Sequence, residues 1–98
     1  MIHNYFVYIL TNVNRTVLYI GVTNDLFTRL REHYLDSQTS KRHFTGKYNV
    51  FYLIYWERYD NINDDIDREK ELKGWRRSKK VDLINSFNPS WKFLNDEI

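Results

Sequence analysis

The chain contains no cysteine, one proline and three glycines in 98 residues. The missing cysteine excludes disulfides, thiol catalysis and cysteine-based zinc sites. With Pro89 the sole proline and glycine so sparse, no flexible linker divides the chain. We expect one domain over residues 1–98, with a modest single core. No apolar run approaches the ~20 residues that span a bilayer. The opening MIHNYFVYIL lacks the basic start and small-residue cleavage site of a secretory signal. A cytoplasmic protein without a membrane partner is therefore expected. Net charge is scarce too: +2 is too little, by itself, to require a nucleic-acid partner.

Aromatic residues are abundant, at 17%, and eight of them are tyrosines. Tyrosine fills core volume while keeping a hydroxyl for hydrogen bonding or chemistry. Charge is also unevenly distributed. DNINDDID (60–67) carries four acids and no base, whereas REKELKGWRRSKK (68–80) carries seven bases against two acids. That asymmetry suits a phosphate-facing surface. It equally suits one helix with acids near its positive end and bases near its negative end.

NYFVYIL (4–10) and TVLYIGV (16–22) have strand composition and are joined by TNVNR, whose asparagines suit a tight turn. Pairing Thr11 with Thr16 would set Tyr8 directly opposite Tyr19, two phenols on one face. A helix is predicted over about 25–35, with Leu26, Leu30 and Tyr34 as its apolar stripe and Arg29 and His33 along one edge. SQTSKRHFTGKY (37–48) reads as a polar loop. NVFYLIYWE (49–57), apolar on both faces, reads as a central strand. A second helix runs from Asn63 or Asp64 to Gly74, with Ile62, Ile66 and Leu72 in one arc that also holds Glu69. A third, about 79–87, ends at Asn88-Pro89, and SWKFL is expected to pack back on the sheet. The order ββαβαα defines an α+β fold, a small sheet flanked by helices.

Tyr8, Tyr19, Arg29, His33 and Glu69 are the conspicuous residues. Their types suit phosphodiester cleavage. A carboxylate can hold Mg²⁺ whose other positions are filled by water. A guanidinium can stabilise transition-state charge, and a phenol or imidazole can relay a proton from the attacking water.

Together these residues make the sequence similar to the GIY-YIG nuclease superfamily. Tyr19-Ile20-Gly21 matches the second triplet, and Phe6-Val7-Tyr8 stands where the first is expected, keeping its tyrosine but not its Gly and Ile. Arg29 and His33 match the Arg-x-x-x-His/Tyr step of the family's first helix. Glu69 with Leu72 matches its metal-binding glutamate. DREKELKGWRRSKKVDLI and FNPSW look like the small stand-alone, single-domain branch, related to the catalytic domain of the bacterial excision-repair nuclease. Val22 stands where several family nucleases carry a lysine.

The resemblance implies a central three-stranded antiparallel sheet and Mg²⁺-dependent (or Mn²⁺-dependent) hydrolysis of nucleic acid, with DNA and its repair as the implied setting. By carry-over, Tyr8 and Tyr19 position or deprotonate the water, Arg29 stabilises the phosphate, and His33 relays a proton or contacts the phosphate. Glu69 holds the metal, Gly21 allows close backbone approach, and Asn88 matches a late asparagine of the family. Lys41, Arg42, His43 and Lys47, with Lys73, Arg76, Arg77, Lys79 and Lys80, are candidates for phosphate binding. Tyr48, Trp75 and Trp91 are candidate stacking platforms; the competing reading is ordinary basic loops and helix ends. Such a small domain has little surface for reading sequence, so structure-selective or weakly specific cleavage is expected. The rival reading is a module of the same fold that binds nucleic acid, with or without a partner, and does not cut.

Overall fold

The computed structural model describes residues 3–39 and 41–98; Met1, Ile2 and Ser40, the last inside the expected loop, lie outside the described residues. The elements are β1 (Tyr5–Thr11), β2 (Leu18–Thr23), α1 (Leu26–Gln38), α2 (Phe44–Lys47), β3 (Tyr52–Tyr59), α3 (Ile62–Gly74), α4 (Arg77–Phe87) and a closing 3₁₀ turn at Asn95–Glu97. The architecture is α+β, with a three-stranded antiparallel sheet in the order β2-β1-β3.

β1, not β3, is therefore the central strand. β3 is apolar on both sides because both sheet faces are covered. On one face Val7, Ile9, Ile20, Ile54 and Tyr55 pack with Leu72 of α3 and Ile84 of α4. On the other, Tyr8, Leu10 and Leu53 pack with Leu26 and Leu30 of α1 and with Leu94. A bulge on β3 helps: Ile9 pairs with Tyr55 but Leu10 pairs with Leu53, so the extra residue, Ile54, joins Tyr55 on the α3–α4 side.

The β1–β2 register also differs from expectation. Tyr8 pairs with Gly21, and Tyr19 pairs with Leu10. The connection is longer than a tight turn because Asn12 organises it. Its side-chain oxygen accepts from the amides of Thr16 and Val17 at 2.8 and 3.0 Å, and its amide donates to the Thr16 hydroxyl at 2.8 Å. The shift is two residues, so every side chain keeps its face. Tyr8 and Tyr19 remain on the α1 side, diagonal rather than opposite.

Asp25 caps α1 by accepting from the Thr28 amide at 3.1 Å, and Asn61 caps α3 by accepting from the Asn63 amide at 2.7 Å. The polar stretch after α1 contains α2, four residues with no side-chain cap and hence no sequence signal. It is held instead by Asp36, whose carboxylate accepts from the amides of Arg42 and His43.

The chain after α4 returns to the sheet, as expected. Asn88 Nδ2 donates to the carbonyls of Ile54 and Lys92 at 3.0 and 2.8 Å, and its Oδ1 accepts from the Lys92 amide at 3.0 Å. Leu94 then donates to Leu53 at 2.7 Å along the outer edge of β3. Asn88→Ala should lower unfolding stability by about 2–4 kcal/mol, since it strands buried backbone groups. Chemical denaturation would measure this, with the largest gain in amide exchange expected at Leu53, Lys92 and Leu94.

Candidate active site

Tyr8 is 1% exposed, and its ring crosses the backbone of its cross-strand neighbour Gly21. A Cβ at position 21 would lie 2.5 Å from Tyr8 Cζ and Oη, so any side chain there would displace the phenol. The close approach that Gly21 permits is thus made by Tyr8. The hydroxyl of Tyr8 lies 2.9 Å from His33 Nε2, and His33 Nδ1 lies 2.8 Å from the Thr45 hydroxyl. Arg29 sits beside the same phenol.

The titration tendencies follow from this burial. Burial drives the Tyr8 phenol up to about 12, against the opposing pull of Arg29. It drives His33 down to about 4, with the Arg29 charge acting in the same direction. At neutral pH the pair is therefore phenol and neutral imidazole. Tyr8–H to Nε2 and Nδ1–H to Thr45 is an assignment in which both ring nitrogens have a partner. α1 correspondingly buries Leu26, Leu30, His33 and Ser37. His33 occupies the stripe itself rather than its edge, and Tyr34, expected in the stripe, is 49% exposed.

Tyr19, Arg29 and His33 line a cleft of ≈ 460 Å³ between α1 and α2, together with His43, Phe44 and Thr45. Tyr19 and His33 meet edge to face at 5.7 Å. Arg29 donates to Glu32 at 3.0 Å, a partly exposed pair one turn apart on α1. Tyr8 is not among the lining residues; it backs His33 from below.

α3 differs from its helical-wheel forecast by about one position. Ile62 is 49% exposed, and the buried residues are Asp65 and Leu72. Glu69 lies on the rim of that face, its side chain 19% exposed and 3.4 Å from Lys73 Nζ. The carboxylate in the core is Asp65, 2% exposed, with Oδ1 lacking any hydrogen-bond partner. Burial, reinforced by the charges of Glu69 and Glu57, raises it to about 6. An acid four residues before Glu69 was readable in DDIDRE, but the apolar arc placed at Ile62 and Ile66 turned it outward. Glu57 is anchored differently. It accepts from the hydroxyls of Tyr55 and Tyr59 and from Arg68 Nε and Nη2, both at 3.0 Å, which locks α3 against β3. Burial opposes the Glu57 charge, but Arg68 and the two phenols outweigh it and hold the carboxylate below its ordinary range.

Glu69 is near enough to Tyr8 for its charge to raise the phenol slightly. Among the described residues no group of three or more His, Asp or Glu side chains could enclose a metal. Glu69 nevertheless fits a hard divalent cation. It is a half-buried oxygen donor with one weakly held partner, beside a second carboxylate that has a bare buried oxygen.

The remaining candidates are elsewhere. The Asn88 amide is committed to the C-terminal return. Lys41 and Arg42 are exposed before α2, Lys73 pairs with Glu69, and Arg76 and Arg77 are exposed where α4 begins. Trp75 is flanked by Arg68 and Lys79, whose charges lie 5.1 and 4.2 Å from its ring centre. Trp91 packs against the sheet.

Related proteins give the family of the chain. The family model for the GIY-YIG catalytic domain matches residues 4–82. A UPF0213 protein of Natronomonas pharaonis is 32% identical over 84 residues, covering 86% of this chain and 94% of that one. One from Staphylococcus aureus is 30% identical over 81 residues, covering 83% and 94%. The solution structure of a UPF0213 protein from Bacillus halodurans shares the fold, with a TM-score of 0.57 and 24% identity over 90% of this chain and 89% of that one. The chain belongs to the GIY-YIG family, among the small stand-alone UPF0213 proteins. The family points to a nuclease, to a nucleic-acid substrate and to a divalent metal. No helix among the described residues is long and apolar enough to cross a membrane.

The opposed shifts of Asp65 and His33 give a pH prediction. Asp65, raised from 3.8, destabilises the fold above about pH 6 and is relieved as pH falls toward 4. His33, lowered from 6.5, contributes stability above pH 6.5 that is lost as pH falls through about 4. In the natural protein the two slopes oppose each other between pH 6 and 4. Asp65→Asn should gain about 1–2 kcal/mol at pH 7 and lose stability steeply on acidification over that interval, as urea titrations across pH would show.

Proposed function

We propose that the chain is a metal-dependent endonuclease, hydrolysing phosphodiester bonds in nucleic acid, with DNA as the favoured substrate and Mg²⁺ or Mn²⁺ as the ion. The observation that carries this is the convergence of Tyr19, Arg29 and His33 on one cleft wall, backed by Tyr8. A water attacking phosphorus needs its proton removed, the added negative charge stabilised, and the leaving oxygen protonated.

Tyr19, half-buried and on the cleft, is placed to orient that water. Arg29 has guanidinium donors beyond its bond to Glu32, and these supply charge to the phosphate. His33, neutral at pH 7 with Tyr8 and Thr45 on its two ring nitrogens, orders the cleft wall beside Arg29, and the attacking water's proton leaves through the open cleft to solvent. Tyr8, closed off from the cleft, is the positioning residue that orients His33. Glu69 would hold the ion with water and phosphate oxygens completing its shell, and such an ion supplies Lewis-acid stabilisation of phosphate charge. A cleft of this size supports structure-selective or weakly specific cleavage.

The test uses supercoiled plasmid, single-stranded and branched DNA, and structured RNA, in Mg²⁺, Mn²⁺ or EDTA. Metal-dependent cleavage is expected, with Glu69→Gln and Arg29→Ala each slowing it about 10²–10³-fold at unchanged circular dichroism. Binding without cleavage in any metal would overturn the nuclease reading in favour of a non-cleaving module. Equal cutting by Glu69→Gln would remove Glu69 as the metal ligand.

A further inference from the structure

α2 does more than close the cleft. Phe44 is 50% exposed, its ring within 21° of parallel to Tyr19 at 6.5 Å between centroids. Tyr48, also 50% exposed, lies 4.9 Å from Phe44. Two large aromatic side chains are therefore half open to solvent, Phe44 in the wall of the cleft that Arg29 and His33 also line and Tyr48 beside it. Leaving them half exposed forgoes burial worth about 1 kcal/mol per side chain.

The platform is fixed in place rather than draped. Thr45 bonds to His33, the Val50 amide donates to the Thr45 carbonyl at 2.7 Å, and Asp36 holds the amides of Arg42 and His43. Gly46 is part of the same fastening, because a Cβ there would collide with the Asp36 carboxylate. The surroundings favour a phosphate backbone. Lys41, Arg42 and His43 are exposed just before the platform, and Lys47 Nζ lies 5.5 Å from the Tyr48 ring centre. The nearby acids are engaged, Glu32 by Arg29 and Asp36 by the α2 backbone.

We infer that Phe44, with Tyr48 beside it, is a stacking seat for one unpaired nucleobase next to the scissile phosphate, which makes the substrate a single-stranded, looped or flap-bearing nucleic acid. This rests on the reading of the cleft as a phosphodiester site. The chemistry selects an unpaired base because bases in a duplex are already stacked on both faces and offer nothing to Phe44. A phosphate alone would leave both rings unused. A base lying on Phe44 would share the cleft that Arg29 lines, where its own phosphate can meet the guanidinium.

Binding is measured in EDTA, so that cleavage plays no part, with the full chain and an oligonucleotide carrying the fluorescent adenine analogue 2-aminopurine. The same oligonucleotide in a blunt duplex is the comparison. Stacking should quench the single strand, and Phe44→Leu should abolish the quench and weaken single-strand binding about 5- to 100-fold. Duplex binding should change less than twofold. Phe44→Trp should keep the affinity, with indole emission quenched by the single strand alone. That variant decides the matter if Phe44→Leu does not fold. An unquenched single strand, equal loss of both substrates in Phe44→Leu, or no binding of either would overturn the seat. Quenching by a protein that never cuts would overturn only the nuclease reading. Full-rate cleavage of single strands by Phe44→Leu would overturn only the seat.

Discussion

The hydrogen bond between the Tyr8 hydroxyl and His33 Nε2 joins the central strand to α1, and through Thr45 it joins both to α2. It lies where water is excluded, so losing either partner would strand a polar group at a cost of about 1–3 kcal/mol. Much of the local sequence serves it. Gly21 removes a side chain that would collide with the phenol, Leu26 and Leu30 flank it, and the bare backbone at Gly46 lets Asp36 hold α2 within reach of Thr45. The cleft is thus built on a buried polar strut and not on loose surface side chains. Its geometry persists only while the imidazole stays uncharged.

α3 is organised on a different principle, an excess of acid against a single well-placed base. The charges of Glu69 and Glu57 both bear on Asp65, and Glu57 is itself held by Arg68 and two tyrosines. The Glu57–Arg68 pair fixes the rotation of the helix, and that rotation carries Glu69 to the rim and Asp65 into the core. A buried carboxylate without a partner is unfavourable. Its presence one turn from Glu69 adds negative charge beside the residue proposed to hold the ion.

Most elements were legible from composition and punctuation. The strand pair, the stop near Gly74 and the return after Pro89 all carry local chemical signals. The register was not, because it depends on Asn12 bonding to two amides across the loop, a decision made by one side chain in three dimensions. His33 was placed at the edge of its stripe because periodicity treats histidine as polar, whereas here Tyr8 and Thr45 satisfy both ring nitrogens. The position of β3 was misread because an apolar strand reports that both faces are covered and says nothing of which strands lie beside it. On α3, Ile62 and Ile66 drew the arc toward themselves, and the carboxylate that enters the core was overlooked in favour of its neighbour. α2 left no trace, since four residues held by tertiary contacts need no propensity of their own.

The segment that follows Pro89 has a consequence beyond packing. The Leu94 amide donates to the Leu53 carbonyl, the Asn95 side-chain amide donates to the Phe51 carbonyl and its oxygen accepts from the Leu53 amide, so the segment occupies ladder positions that another strand would otherwise take. Tyr52–Tyr59 is rich in aromatic and β-branched residues, the composition that promotes edge-to-edge polymerisation when left uncovered. The last residues of the chain therefore act as a guard on solubility. The start of the β3 margin, at Phe51 and Leu53, is closed from within.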